Sequence, residues 1–311
     1  MASAVTPTSR SAVKVITFAG AGRSGSTLLA RLLGELDGFV NIGEATAYWL
    51  DDQVRQRQIP CGCGRAVAEC PFWRDVLWGH AVEPGSGSSH LLRLRSVPLL
   101  LSPVKPAPAR RRLDDLTAAA RSLLCTVAER HRGRVIVDSS KNPALSYLLR
   151  RAPDIELHVL HLVRDPRAFV SSRFSSKAYL GRLPPFKATW VWLARNLATE
   201  LLLAGGPRHR RIRYEDLVAD PGGTVSMIAT EVLGEPIRVR YANGNETSIG
   251  VQHILAGNPD KLEVGPLRIA DRGWSLPWHV RALVSGLTLP LRARYGYWSG
   301  PPAPSNAATG Q

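Results

Sequence analysis

No window of the 311-residue chain reaches about 18 uninterrupted apolar residues, so no membrane-spanning helix is expected. The first apolar run, Val13 to Gly20, is too short for a secretory leader and has the β-branched character of a strand. A cytoplasmic location is therefore expected. Cysteine is confined to four residues, and in a cytosolic chain a stable disulfide among them is not expected. Lysine is scarce too, appearing only at Lys14, Lys105, Lys141, Lys177, Lys187 and Lys261. The net charge of +15 and pI near 10.4 are thus carried by arginine. A compositional arginine bias explains much of that excess, so charge alone does not argue for nucleic acid, and no nucleic-acid partner is expected. An anionic small molecule needs a basic cleft in any case. No internal repeat is apparent.

What remains is an ordinary globular composition, 44% hydrophobic and 21% charged, enough for one large α/β domain. The domain is expected over residues 13–299, between loose tails at 1–12 and 300–311. It is organised around Val13 to Leu36. Val13 to Phe18 reads as a buried strand, Gly20, Gly22 and Gly25 punctuate a turn, and Leu28, Leu29, Leu32, Leu33 and Leu36 form the apolar stripe of a helix. Strand, glycine-rich turn and helix together aim backbone N–H groups at an anion on a helix N-terminus.

Gly20 and Gly25 have the separation of the phosphate-binding loop G-x-x-x-x-G-K-[ST], but Ser26 stands where the lysine belongs. A cation, Arg23, lies inside the loop instead. A nucleotide kinase needs that lysine for its β- and γ-phosphates, and a metal to bridge them. A loop with an internal cation and two hydroxyl residues suits one compact anionic group beside a leaving oxygen. Bare strand–turn–helix connections also occur without a ligand, so a second site is needed to decide.

Leu157 to Val163 supplies it. This buried strand delivers Arg164-Asp165-Pro166-Arg167 and then a helix carrying Ser171 and Ser172. A guanidinium at a strand end can grip a phosphate bidentately, and a nearby hydroxyl can donate a further bond.

Arg23-Ser24-Gly25-Ser26-Thr27 resembles the phosphosulfate loop of the sulfotransferases that use 3'-phosphoadenosine 5'-phosphosulfate (PAPS). The Arg164/Ser172 pair resembles their 3'-phosphate motif. The resemblance covers most of Val13 to Trp298, and its specific parts are these two motifs. It implies an α/β, three-layer P-loop-like fold with a central parallel sheet flanked by helices. It also implies transfer of a sulfuryl group from PAPS to a hydroxyl or amine, with no metal required. Gly22 to Thr27, Arg164 and Ser172 would bind the cosubstrate. A looser match, Gly265 to Trp274, would add Arg268, Arg272 and Gly273 as a closing loop. Eukaryotic cytosolic members place an adenine-stacking tryptophan just after the first loop, where Leu28 stands here.

The remaining segments are read around this frame. Several members have a Gly-Glu like Gly43-Glu44, and in some that glutamate takes the acceptor's proton; Glu44 is thus a candidate base, with a helix cap as the bland alternative. Arg134 to Asp138 reads as a strand delivering Ser139-Ser140-Lys141-Asn142-Pro143, and Lys141 stands about where other members carry a catalytic histidine. It would neutralise developing charge or serve as base, positioned by Asp138 and Ser140. The catalytic set is Arg23, Glu44 and Lys141.

Cys61, Cys63 and Cys70 invite a zinc reading, but they offer three thiolates and no nearby histidine at ligand spacing. Similar stretches occur in some bacterial sulfotransferase-like proteins. The segment is taken as a structural lid or capping element, with metal ligation as the alternative; Trp73 and Trp78 are taken as core. Glu83 to Arg112 is an irregular, proline-rich and basic excursion. It either packs on the main domain or covers the site, touching a membrane at most peripherally. Helices are expected at Leu113–Arg130, Tyr179–Leu203 and Pro221–Leu233, and the carboxylates of Glu215 and Asp216 are expected to hold an arginine or cap the last of these.

The acceptor, a small metabolite, glycan or lipid, is not encoded in a readable pattern, and neither is oligomeric state. Two rivals stand beside this reading: a P-loop ATP-dependent kinase, and a non-enzymatic basic nucleic-acid-binding protein.

Overall fold

The computed structural model describes residues 12–51, 54, 59–77, 88–131, 135–174, 182–271 and 273–298. Trp78, Arg272 and the segments at 83–87 and 175–181 lie outside them. Five strands, β1 (Val13–Gly20), β2 (Phe39–Gly43), β3 (Val135–Asp138), β4 (Ile155–Val163) and β5 (His209–Arg213), form one parallel sheet in the order β2-β3-β1-β4-β5. A small antiparallel pair, β6 (Glu246–Ile249) and β7 (Gly265–Arg268), stands apart from it.

The alternation of β1 explains the layers. Val15 and Ala19 face one side and Ile16 and Phe18 the other, and all four are buried because β1 is the central strand. The first face packs on helix α3 (Ala107–His131) and α4 (Pro143–Leu149), through Leu116, Leu123, Leu145 and Leu149. The second packs on α1 (Ser26–Gly34) and α7 (Pro221–Leu233), through Leu29, Leu33, Val225 and Ile228. Helix, sheet, helix is the three-layer arrangement expected from the sequence. The remaining long helices are α2 (Pro71–Leu77), α5 (Pro166–Phe174), α6 (Pro185–Leu203) and α8 (Trp278–Leu287). Among the described residues, no helix is long and apolar enough to cross a membrane.

Several sequence expectations shift in detail. The helix expected at Leu113–Arg130 begins six residues earlier, at Ala107, so Arg110 to Arg112 belong to its exposed first turns. Their polarity hid the helix, because an unpacked helical turn needs no apolar stripe. Leu92, Val97 and Leu100 are buried in the main core, and Asn142 Nδ2 donates to the Leu92 carbonyl (3.1 Å), so the described part of the excursion packs on the domain. The helix at Pro221–Leu233 is found as expected, but its cap is Asp220, which accepts from Gly223 N at 2.8 Å. Glu215 instead accepts from Asp165 N (3.1 Å) and the Tyr297 hydroxyl (2.6 Å), bracing the end of β4.

Because all five strands run parallel, their C-terminal ends share one edge. The loops after Gly20, Gly43, Asp138, Val163 and Arg213 therefore meet there, where ligands of open α/β sheets bind.

Candidate active site

The first loop is shaped by residues that its neighbours leave no choice. Gly20 has φ +105°, and a Cβ there would lie 2.4 Å from the Leu162 carbonyl oxygen of the adjacent strand. Gly25 has φ +86°, and a Cβ would strike the Tyr214 ring at 2.7 Å. Between them Arg23 takes a left-handed φ of +67°, which a non-glycine residue adopts only at a cost of about 1 kcal/mol or more. α1 begins at Ser26 directly after this turn, so its unpaired N–H groups and positive dipole end face the loop. The Ser24 Oγ is buried and has no hydrogen-bond partner among the described residues.

The second motif closes on the first. Arg164 Nη1 donates to the Arg23 carbonyl at 3.1 Å, and Arg23 Nε reaches the Ser172 Oγ at 3.4 Å. Arg164 also lies 4.2 Å over the Tyr214 ring, the same ring that crowds Gly25. Its Nε is buried without a partner among the described residues. Asp165 does not face this group: its carboxylate holds Arg167 through Nε (2.9 Å) and Nη2 (2.5 Å). Residues 141 positions apart in sequence thus form one cationic, hydroxyl-bearing cleft.

Glu44 and Lys141 meet at the other strand ends. Lys141 Nζ donates to Glu44 Oε1 at 2.5 Å and to the Ser139 carbonyl at 2.9 Å. Lys141 has φ +54°, the second left-handed non-glycine residue at a candidate catalytic position. Its turn is held by Asn142, which caps α4 by accepting from Ala144 N and Leu145 N, both at 3.1 Å. It is also held by Asp138, whose Oδ1 accepts from Ser140 N (2.9 Å), Ala45 N (3.3 Å) and the Ser140 hydroxyl. Burial pushes the Asp138 carboxyl up to about 6, against the opposing pull of these donors. So Asp138 and Ser140 fix the backbone on both sides of the pair rather than touching Lys141. Glu44 does not cap a helix by its side chain: the helix at Ala47–Leu50 has no side-chain cap.

Of the closing loop, Trp274 and Ser275 rest against α5: Ser171 Oγ donates to the Ser275 carbonyl (2.9 Å), and Arg167 lies 5.4 Å from the Trp274 ring. Gly273 N donates to Asp271 Oδ1 at 3.2 Å, a contact within its own loop. Arg268 sits on β7, 75% exposed, 4.0 Å from Glu246. Arg272 falls outside the described residues.

Two residues carry roles that sequence reasoning passed over. Tyr214 links the glycine loop to Arg164; its signal was only its place at a strand end. Arg195, on α6, is half-buried near Glu44; burial lowers its basicity, Arg173 adds to the lowering, and Glu44 partly opposes it.

The assembled edge brings a P-loop-like glycine turn, Arg164 and Ser172 beside a carboxylate–ammonium pair at the strand ends of an α/β domain. The sulfotransferase family model matches residues 16–237, and the chain belongs to that family. Similar solved structures include the sulfotransferase domain from the curacin biosynthetic pathway (16% identity, TM-score 0.48, covering 91% of this chain and 98% of that one). The sulfotransferase domain from the Synechococcus PCC 7002 olefin synthase is similar at 18% identity and TM-score 0.49, covering 92% and 96%. A sulfotransferase from Alicyclobacillus acidocaldarius is similar at 14% identity and TM-score 0.40, covering 93% and 95%. No curated protein matches the sequence.

Proposed function

We propose that this protein transfers a sulfuryl group from PAPS to a hydroxyl or amine of a small-molecule, glycan or lipid acceptor. The observation that carries the reading is the contact between the two anion motifs, Arg164 to Arg23 at 3.1 Å and Arg23 to Ser172 at 3.4 Å. A nucleotide with charge at both its 3' and 5' positions needs two such groups side by side. The unpartnered Ser24 Oγ and Arg164 Nε fit such a ligand, since buried polar atoms are ordinarily paired.

The loop N–H groups, Arg23, Ser26 and Thr27 would surround the sulfuryl group and the departing phosphate oxygen, where negative charge grows during transfer. Arg164 and Ser172 would hold the 3'-phosphate. Glu44 would accept the acceptor's proton. Lys141, paired with it, would orient the carboxylate and on transfer stabilise charge on the sulfuryl oxygens. Which of Glu44 and Lys141 takes the proton is decided by substitution. In Glu44→Gln, kcat should fall about 10²- to 10⁴-fold with cosubstrate affinity nearly unchanged. Normal turnover in this variant would remove Glu44 as the base. Arg23→Ala should abolish transfer, measured with ³⁵S-labelled donor. The kinase alternative has no loop lysine to support it.

A further inference from the structure

Outside the transfer site, the fold brings a histidine to the three clustered cysteines. Cys61, Cys63, Cys70 and His253 place one donor atom each within 4.8 Å of all the others. Cys63 Sγ lies 3.8 Å from Cys70 Sγ, and His253 Nδ1 lies 3.2 Å from Cys70 Sγ and 4.0 Å from Cys61 Sγ. Four ligands on a tetrahedral zinc, at about 2.3 Å for sulfur and 2.0–2.1 Å for nitrogen, stand roughly 3.8 Å apart for two sulfurs and 3.5 Å for sulfur and nitrogen. We propose that Cys61, Cys63, Cys70 and His253 form a closed structural zinc site.

The surrounding backbone is built to hold these donors. Cys61 and Cys63 ride a short hairpin in which Pro60 bridges Ala66 and Cys61 N donates to the Arg65 carbonyl at 2.7 Å. Gly64, at φ +84°, turns the chain so that its N–H bonds the Cys61 carbonyl at 2.9 Å, aiming both thiols inward. Gly62 must be glycine: a Cβ there would lie 2.4 Å from the Gln252 carbonyl, and its N–H donates to Ile254 at 3.0 Å. Cys70 immediately precedes α2, with Arg74 N bonded to its carbonyl at 2.8 Å. The His253 segment is fixed by Trp73 Nε1, which donates to its carbonyl at 2.8 Å, and its ring stacks on Phe72 at 5.1 Å.

Three thiolates and a neutral imidazole around a divalent ion leave one negative charge. The buried Lys261 lies next to it, with Nζ donating to the Pro60 carbonyl at 2.7 Å. Soft sulfur ligands with one imidazole select zinc over magnesium or calcium, and four protein ligands leave no open position for catalysis. The ion would clamp residues 60–73 to the segment at 252–256. That segment donates Leu255 N–H to the Ile42 carbonyl at 3.0 Å and accepts Glu44 N–H on its Ala256 carbonyl at 3.2 Å. The site is therefore a staple behind the strand end that carries Glu44, and it stands or falls independently of the transfer reaction.

The test is metal analysis of the full chain purified with a mild reductant and no chelator. About one zinc per chain is expected, released stoichiometrically when an organomercurial titrates the thiols. Cobalt substitution should give the intense visible bands of a tetrahedral thiolate centre. Cys63→Ser, at the half-buried ligand, should lose most of the zinc, whereas Cys125→Ser should keep it. A folded wild-type chain, judged by circular dichroism, that carries below about a tenth of an equivalent of zinc and gives no tetrahedral cobalt spectrum would overturn the proposal. So would a Cys63–Cys70 disulfide found by mass spectrometry.

Discussion

The Arg164 guanidinium donates to the Arg23 carbonyl, stacks on Tyr214, and keeps a buried Nε with no partner among the described residues. Such a guanidinium is positioned before its ligand arrives. Arg164→Ala should weaken 3'-phosphoadenosine 5'-phosphate binding about 10- to 100-fold, the worth of a charge-assisted pair of bonds. Binding of adenosine 5'-phosphate, which lacks the 3' group, should change little. Asp138 gives a second test at this scale. Its folded carboxyl titrates near 6, above the ordinary 3.8, so its ionisation costs stability as pH rises through that window. All three of its donors use Oδ1, which an asparagine retains. Asp138→Asn should therefore gain on wild type by roughly 2 kcal/mol between pH 4 and pH 7, measured by denaturant titration at each pH. No change in the difference between the two would show that Asp138 is not held protonated.

At the scale of the element, the Lys141 turn depends on the cap that follows it. Asn142→Ala should cost about 1 kcal/mol by thermal unfolding, because two N–H groups of α4 lose their acceptor. It should also lower kcat, since Lys141 occupies a left-handed conformation that this cap holds. β1, its glycine loop and α1 were readable from the chain because strand and helix periods switch sharply at Gly20–Gly25. The Arg164/Ser172 pair was readable because one strand–helix unit carries both. β2 was not, being only five residues long with Asn41 inside it. Nor was the ligand-distance approach of His253 to Cys70, separated by 183 residues, since only tertiary packing joins them. The Glu44–Lys141 contact lies between these cases: Lys141 was placed at a strand end and Glu44 was singled out by resemblance, but their pairing depends on β2 and β3 lying side by side.

For the whole molecule, the sheet order decides the chemistry. With β1 between β3 and β4, the anion loop is flanked on one side by Lys141 and Glu44 and on the other by Arg164 and Ser172. The groups proposed to bind the donor and to accept the proton thereby share one edge. A ligand that bridges the two anion motifs binds only the folded chain, so 3'-phosphoadenosine 5'-phosphate at 100 times its Kd should add about 2.7 kcal/mol and raise Tm. The most direct measurement is calorimetric titration of the wild-type chain with 3'-phosphoadenosine 5'-phosphate in magnesium-free buffer, beside adenosine 5'-phosphate. The account predicts saturable binding of the first, tighter than the second by about 10-fold or more, with the margin lost in Arg164→Ala. Equal affinity for the two nucleotides, or no binding without magnesium, would contradict it.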